Sequence, residues 1–97
     1  MPTFVTLHNF TDQGIKDIKK LPERDVEVEK RLTELGIKVI AYYVVMGQYD
    51  EVVIWEAPSD EVALAWLLEL GVMSSRRSVT LRAFSDEQFQ QMLKGIP

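Results

Sequence analysis

Six residues carry the chemistry this chain has to offer: His8, Tyr43, Tyr49, Asp50, Glu56 and Arg82. His8 or Glu56 could move a proton. Arg82 could hold a carboxylate through its planar fork of donors. With Tyr43 among apolar neighbours, these groups would line a small pocket that is apolar with a few polar anchors. Tyr49 and Asp50 lie at a hairpin tip, where the tyrosine could close over a ligand. A plainer reading stands beside this one. Glu56 and Arg82 would form a rim salt bridge between subunits, His8 would be a partly buried polar residue, and Tyr49 would fold back on its hairpin. His8 is the only histidine and there is no cysteine. A multi-histidine metal site within one chain, a cysteine zinc site, a thiol nucleophile and a disulfide are therefore excluded. There is no P-loop, no G-x-G-x-x-G and no G-x-S-x-G. No metal and no cofactor is expected, and Met46, Met73 and Met92 read as packing residues.

The elements that must position these groups belong to one domain, since 97 residues are enough for one core. A hydrophobic content of 46% and a charged content of 27% are those of an ordinary globular protein. No run approaches the roughly 18–20 apolar residues that span a bilayer, and Met1-Pro2-Thr3-Phe4 is not a signal peptide. A cytoplasmic location is the expectation. The net charge of −4 argues against nucleic acid as a partner. The only adjacent arginines, Arg76-Arg77, read as solvated loop charge.

The strongest local signal is Val39 to Met46, then Gly47-Gln48-Tyr49-Asp50, then Glu51 to Ala57: two β-branched and aromatic runs around a polar break. Gly47 can take positive φ, and Asp50 can hold the turn. A four-residue break pairs Met46 with Glu51 and Tyr43 with Ile54. A first strand is expected over Thr3 to Asn9. Gly14 to Gly36 reads as helix in two pieces, broken near Lys20-Leu21 by Pro22, with Val28, Leu32 and Leu35 as the apolar stripe of the second. Ser59 caps a third helix whose span Val62 to Leu70 is apolar almost all round and so needs cover on more than one side, and Gly71 stops it. Arg77 to Phe84 reads as the last strand. Ser85-Asp86-Glu87-Gln88 is a capping box ahead of an amphipathic helix carrying Phe89, Met92, Leu93 and Ile96.

The order β-α-β-β-α-β plus a terminal helix is the split βαβ, ferredoxin-like arrangement of the α+β class. Right-handed crossovers give an antiparallel sheet in order 4-1-3-2 with both long helices on one face. The purely apolar parity of the first and last strands, Val5, Leu7, Val79, Leu81 and Ala83, is expected to meet the helices. The open face then carries Phe4, Thr6, His8, Tyr43, Val45, Val52, Ile54, Glu56, Thr80 and Arg82. So much apolar area calls for a second subunit packed sheet on sheet in a two-fold dimer.

At Gly47-Gln48-Tyr49-Asp50 the chain resembles the GYD-domain family, small uncharacterised proteins bearing a Gly-x-Tyr-Asp motif. The resemblance extends over Thr6-Leu7-His8-Asn9-Phe10-Thr11-Asp12-Gln13-Gly14-Ile15, Glu56-Ala57-Pro58-Ser59-Asp60 and Thr80-Leu81-Arg82-Ala83-Phe84-Ser85. It implies a ferredoxin-like fold of the dimeric α+β barrel group and no established reaction. Leu21-Pro22 departs from the small or polar residue that often precedes that proline. The same hairpin is similar to the effector domain of Lrp/AsnC-type regulators, with Gly71-Val72 after the second long helix and Ser78 and Thr80 in the last strand. In those regulators small effectors bind at a subunit interface. With the sequence opening on its first strand, no helix-turn-helix ahead of it, and no DNA binding of that kind, is expected.

Three functions follow as expectations. The first is a non-enzymatic homodimer, or higher homo-oligomer, binding a small metabolite, with or without a carboxylate, at the subunit interface or the covered sheet face. The second is a cofactor-free enzyme of the monooxygenase, isomerase or dehydratase kind, with His8 as base and Arg82 as anion stabiliser, on fold analogy. The third is a protein-interaction module using the dimer face or the last helix.

Overall fold

A computed structural model describes residues 1–97. The elements run β1 (Thr3–Phe10), α1 (Asp12–Lys16), a 3-10 turn (Ile18–Lys20), α2 (Leu21–Leu35), β2 (Lys38–Val44), β3 (Glu51–Glu56), α3 (Asp60–Met73), β4 (Arg76–Ala83) and α4 (Asp86–Leu93). The strands make one antiparallel sheet in order β2-β3-β1-β4, which is 4-1-3-2 read from the other edge. This is the ferredoxin-like α+β fold.

Local chemistry sets most boundaries. Thr11 Oγ1 accepts from the Gly14 amide at 3.1 Å and starts α1. The break before Pro22 falls where it is expected, since a proline fits only the first turn of α2. Gly36 ends α2 at φ 72°, a left-handed conformation that costs a side-chain-bearing residue energy. Ser59 caps α3, and Ser85 with Gln88 forms the full capping box of α4. Gly71 does not stop α3. The helix continues to Met73 and ends at Ser74, φ 62°, because glycine inside a helix costs only about 1 kcal/mol when neighbouring turns hold.

The hairpin register differs from the expected one by two residues. Val44 stands opposite Glu51, Tyr43 opposite Val52 and Ala41 opposite Ile54, with an irregularity between Val39 and Ala41. A shift of two preserves which face each residue occupies, so the hairpin faces stand as expected. The reason is Asp50. Its amide donates to the His8 carbonyl at 2.9 Å and its Oδ2 accepts from the Phe10 amide at 2.9 Å. Asp50 therefore ties the hairpin to β1 while its carbonyl accepts from the Val45 amide at 2.8 Å, so the turn closes two residues earlier in β2 than expected. Gly47 takes φ 120° in that loop.

The first and last strands, β1 and β4, correct the expected faces. Phe4, Thr6 and His8 of β1 are buried on the helix side, with Thr80 of β4 opposite Thr6 and Arg82 opposite Phe4. The apolar parity Val5, Leu7, Val79 and Leu81 lies on the open face with Val52, Ile54 and Tyr43. The polar helix-side positions are tolerated because they satisfy one another. Trp55 Nε1 donates to Thr6 Oγ1 at 2.8 Å, and Thr6 Oγ1 pairs with Thr80 Oγ1 at 2.9 Å. The core is small: Phe4, Ile37, Trp55, Ala57, Ala63, Trp66 and Leu70.

Much apolar surface stays uncovered. On the open face Val79 is 47% and Leu81 52% exposed. α3 buries Ala63, Trp66 and Leu70 on one side only. Its opposite side exposes Leu64, Leu68 and Val72, spaced i, i+4, i+8, so the second cover expected for this helix is absent within one chain. α4 buries nothing, and Phe89, Met92, Leu93 and Ile96 are all exposed. The chain is correspondingly extended, at 53 × 32 × 19 Å.

Candidate functional site

The helix side of the sheet carries a cleft of about 580 Å³ between α2, α3 and the strands. Its apolar walls come from Val28 and Leu32 of α2, Trp66 and Leu70 of α3, and Val53 of β3. α2 presents only half-buried side chains here, because its stripe packs at the margin of the core rather than into it.

One side of the cleft is a polar cluster. Glu51, the first residue of β3, has no solvent exposure. Arg76, the first residue of β4, grips it with Nε at 2.6 Å and Nη2 at 3.2 Å. Tyr42 Oη donates to Oε2 of the same carboxylate, the oxygen that Arg76 Nη2 also holds. Arg76 Nη2 also reaches Asp25 of α2 at 3.4 Å, and its guanidinium lies 5.6 Å from the centre of the Phe10 ring. Burial pushes the Glu51 carboxyl up, but the hydrogen bonds from Arg76 and Tyr42 outweigh it and hold it below the usual carboxylate range. Burial, then the bond to Glu51, pushes the Tyr42 phenol up. The cluster is an ion pair with every partner assigned, an arrangement that fixes structure rather than one poised to move protons.

His8 stands beside it on β1, 5% exposed. Its Nδ1 pairs with Ser78 Oγ at 2.8 Å. Burial lowers its pKa to about 4 against the opposing pull of Glu51, so the imidazole is neutral at pH 7.

The six residues singled out from the sequence do not meet. His8 alone lines the cleft. Tyr43, 64% exposed, and Glu56 lie on the open sheet face. Tyr49 and Asp50 are half-buried at the hairpin tip, where Asp50 is structural. Arg82 is on the helix side, six residues along β4 from Arg76, or about 20 Å. Its guanidinium stacks over Phe4 at 5.4 Å and Phe84 at 4.7 Å and faces Asp60 at 3.6 Å. Within the chain its carboxylate partner is Asp60, not Glu56. Sequence reasoning missed Tyr42 and Glu51, and its reading of Arg76 as solvated loop charge is corrected: Arg76 lies in β4 with its side chain 10% exposed against Glu51. The available signal was parity: Glu51 shares its strand face with Val53 and Trp55, a charged residue in a core position. No cluster of three or more His, Asp or Glu residues is arranged to hold a metal ion. No helix is long and apolar enough to cross a membrane.

Comparisons with known proteins place this geometry. The protein FFRP-DM1, known from a crystal structure, superposes with a TM-score of 0.57 at 22% identity, covering 87% of this chain and all of that one. That likeness is one of fold. A protein of Thermus thermophilus called glutamine synthetase and cystathionine beta-lyase binding protein is 38% identical over 84 residues, covering 86% of this chain and 88% of that protein. The GYD domain model matches residues 4–93, and the chain belongs to the GYD domain family.

Proposed function

We propose that this chain is a non-enzymatic, cytoplasmic binding module that pairs with a second copy of itself through the open sheet face and docks a metabolic enzyme on the outer side of α3. The observation that carries this reading is the ridge Leu64, Leu68 and Val72, exposed by 59%, 65% and 84% on a helix whose other side is already in the core. A soluble chain keeps such a ridge when another surface covers it. The sheet face supports self-pairing for the same reason. Its strands place Val5, Leu7, Val52, Ile54 and Leu81 together on a face no helix covers. The name of the Thermus thermophilus relative supports an enzyme as the partner. The carboxylate-binding role for Arg82 draws no support from its stacked, paired setting.

The test is interferometry of immobilised protein against purified glutamine synthetase and cystathionine beta-lyase. Saturable binding to at least one is expected. Leu68→Asp, at an exposed helical site, should weaken it at least tenfold with the melting temperature held, in keeping with a central interface anchor. Unchanged affinity in that variant removes the α3 ridge from the account.

A further inference from the structure

We propose that the cleft between α2 and the sheet is a binding site for a molecule without negative charge that has an aromatic or branched aliphatic body and one hydroxyl group, which hydrogen-bonds to His8 Nε2. This site is separate from the surfaces assigned above to protein partners. Its size, about 580 Å³, lies within the range of small-molecule pockets, roughly 300–1,000 Å³. The space exists because α2 buries none of its residues fully, while α3 buries three. Val28, Leu32, Trp66 and Leu70 make the walls apolar.

The polar contact is set by His8. The side chain is 5% exposed and its Nδ1 is taken by Ser78. Nε2 has no partner in the protein, and no side-chain nitrogen or oxygen sealed from solvent lacks one, so Nε2 opens to the cleft that His8 lines. The neutral ring presents Nε2 as acceptor or as donor according to which way the Ser78 hydroxyl turns. A ligand hydroxyl matches either state. The surrounding charge selects against anions. Asp25, Glu29 and Glu51 line the cleft with a single cation, Arg76, whose Nε and Nη2 are already held by Glu51. A carboxylate or phosphate entering would meet three like charges and one occupied guanidinium.

The experiment is methyl and histidine-ring NMR of the full chain with four probes: 2-naphthol, 2-methylnaphthalene, 2-naphthoate and 2-naphthylmethylammonium. 2-Naphthol should shift the Leu32 and Val53 methyls and the His8 ring saturably. 2-Methylnaphthalene, lacking the hydroxyl, should bind about tenfold weaker, the worth of one neutral hydrogen bond. 2-Naphthoate should bind weaker still, and Glu29→Lys, an exposed change on α2, should narrow that gap. Val28→Trp should fill the cleft and abolish the 2-naphthol shifts while the unbound spectrum stays folded. The proposal is overturned if Leu32 and Val53 do not respond, if the shifts appear instead on Val5 and Leu81 of the open face, if 2-methylnaphthalene or 2-naphthoate binds as well as 2-naphthol, or if the ammonium probe, which the three carboxylates favour, binds no better than 2-naphthoate.

Discussion

Glu51 has no exposed surface and yet stays ionised, because Arg76 and Tyr42 return in hydrogen bonds what burial takes away. Removing one partner strands the other charge. Glu51→Ala should cost about 3–5 kcal/mol in urea unfolding, with Arg76, 10% exposed, left only its 3.4 Å contact to Asp25. The double variant Glu51→Leu, Arg76→Met should recover most of that loss, and a double variant as unstable as the single one would show that shape rather than charge is at stake. His8 gives a second prediction. Its folded pKa, about 4, lies below the ordinary 6.5, so its contribution is complete above pH 6.5 and is lost as pH falls toward 4. Stability should drop by up to about 3 kcal/mol across that window, before the Glu51 carboxyl titrates. Glu51, Arg76 and Ser78 face the ring, and His8→Gln keeps a partner for Ser78 while removing the titration. An unchanged slope in that variant would assign the pH dependence elsewhere. At this scale the sequence was least legible. His8 could be read as a partly buried polar residue, but Glu51 and Arg76 lie 25 positions apart and meet only when β3 and β4 both flank β1.

Elements were the most legible scale, because their signals are local. Pro22, Gly36, Ser59 and the Ser85–Gln88 box act on the backbone within a turn of themselves, and each marks the boundary or break its chemistry demands. Register and facing were not local. The hairpin slides by two residues because Asp50 bonds to β1, a contact with Phe10 that lies 40 positions away. The faces of β1 and β4 inverted because an apolar parity shows that a face is dry, not which cover keeps it dry. Asp50→Ala should leave the Phe10 amide without its partner and cost about 1–2 kcal/mol, read as a melting shift with the NMR cross-strand contacts of the hairpin loosened. Gly14 offers a steric test of how α1 docks. A Cβ there would stand 2.2 Å from the Ser75 carbonyl oxygen, which also accepts from the Thr11 amide. Gly14→Ala should therefore destabilise by about 1–3 kcal/mol, against the gain alanine normally brings inside a helix.

The whole molecule is built with more apolar surface than one chain can cover. Its sheet is shielded by helices on one face only, α3 is shielded on one side only, and α4 packs its stripe against nothing in its own chain. The proposed answer divides these surfaces: the sheet face goes to a second copy and the α3 ridge to a partner protein. Leu81→Arg, on the edge strand β4 of the open face, should convert a species of twice the 11.2 kDa chain mass into a monomer by light scattering. If both proteins scatter as monomers, the sheet face is not a self-pairing surface. The central claim is binding to an enzyme partner, and the most direct measurement is the affinity of the unmodified protein for purified glutamine synthetase and cystathionine beta-lyase, with Leu68→Asp in parallel. The account predicts saturable binding to at least one enzyme that Leu68→Asp weakens at least tenfold and that the cleft-filling Val28→Trp leaves intact. Absence of binding to either enzyme at tens of micromolar, or binding that ignores the α3 ridge, would contradict it.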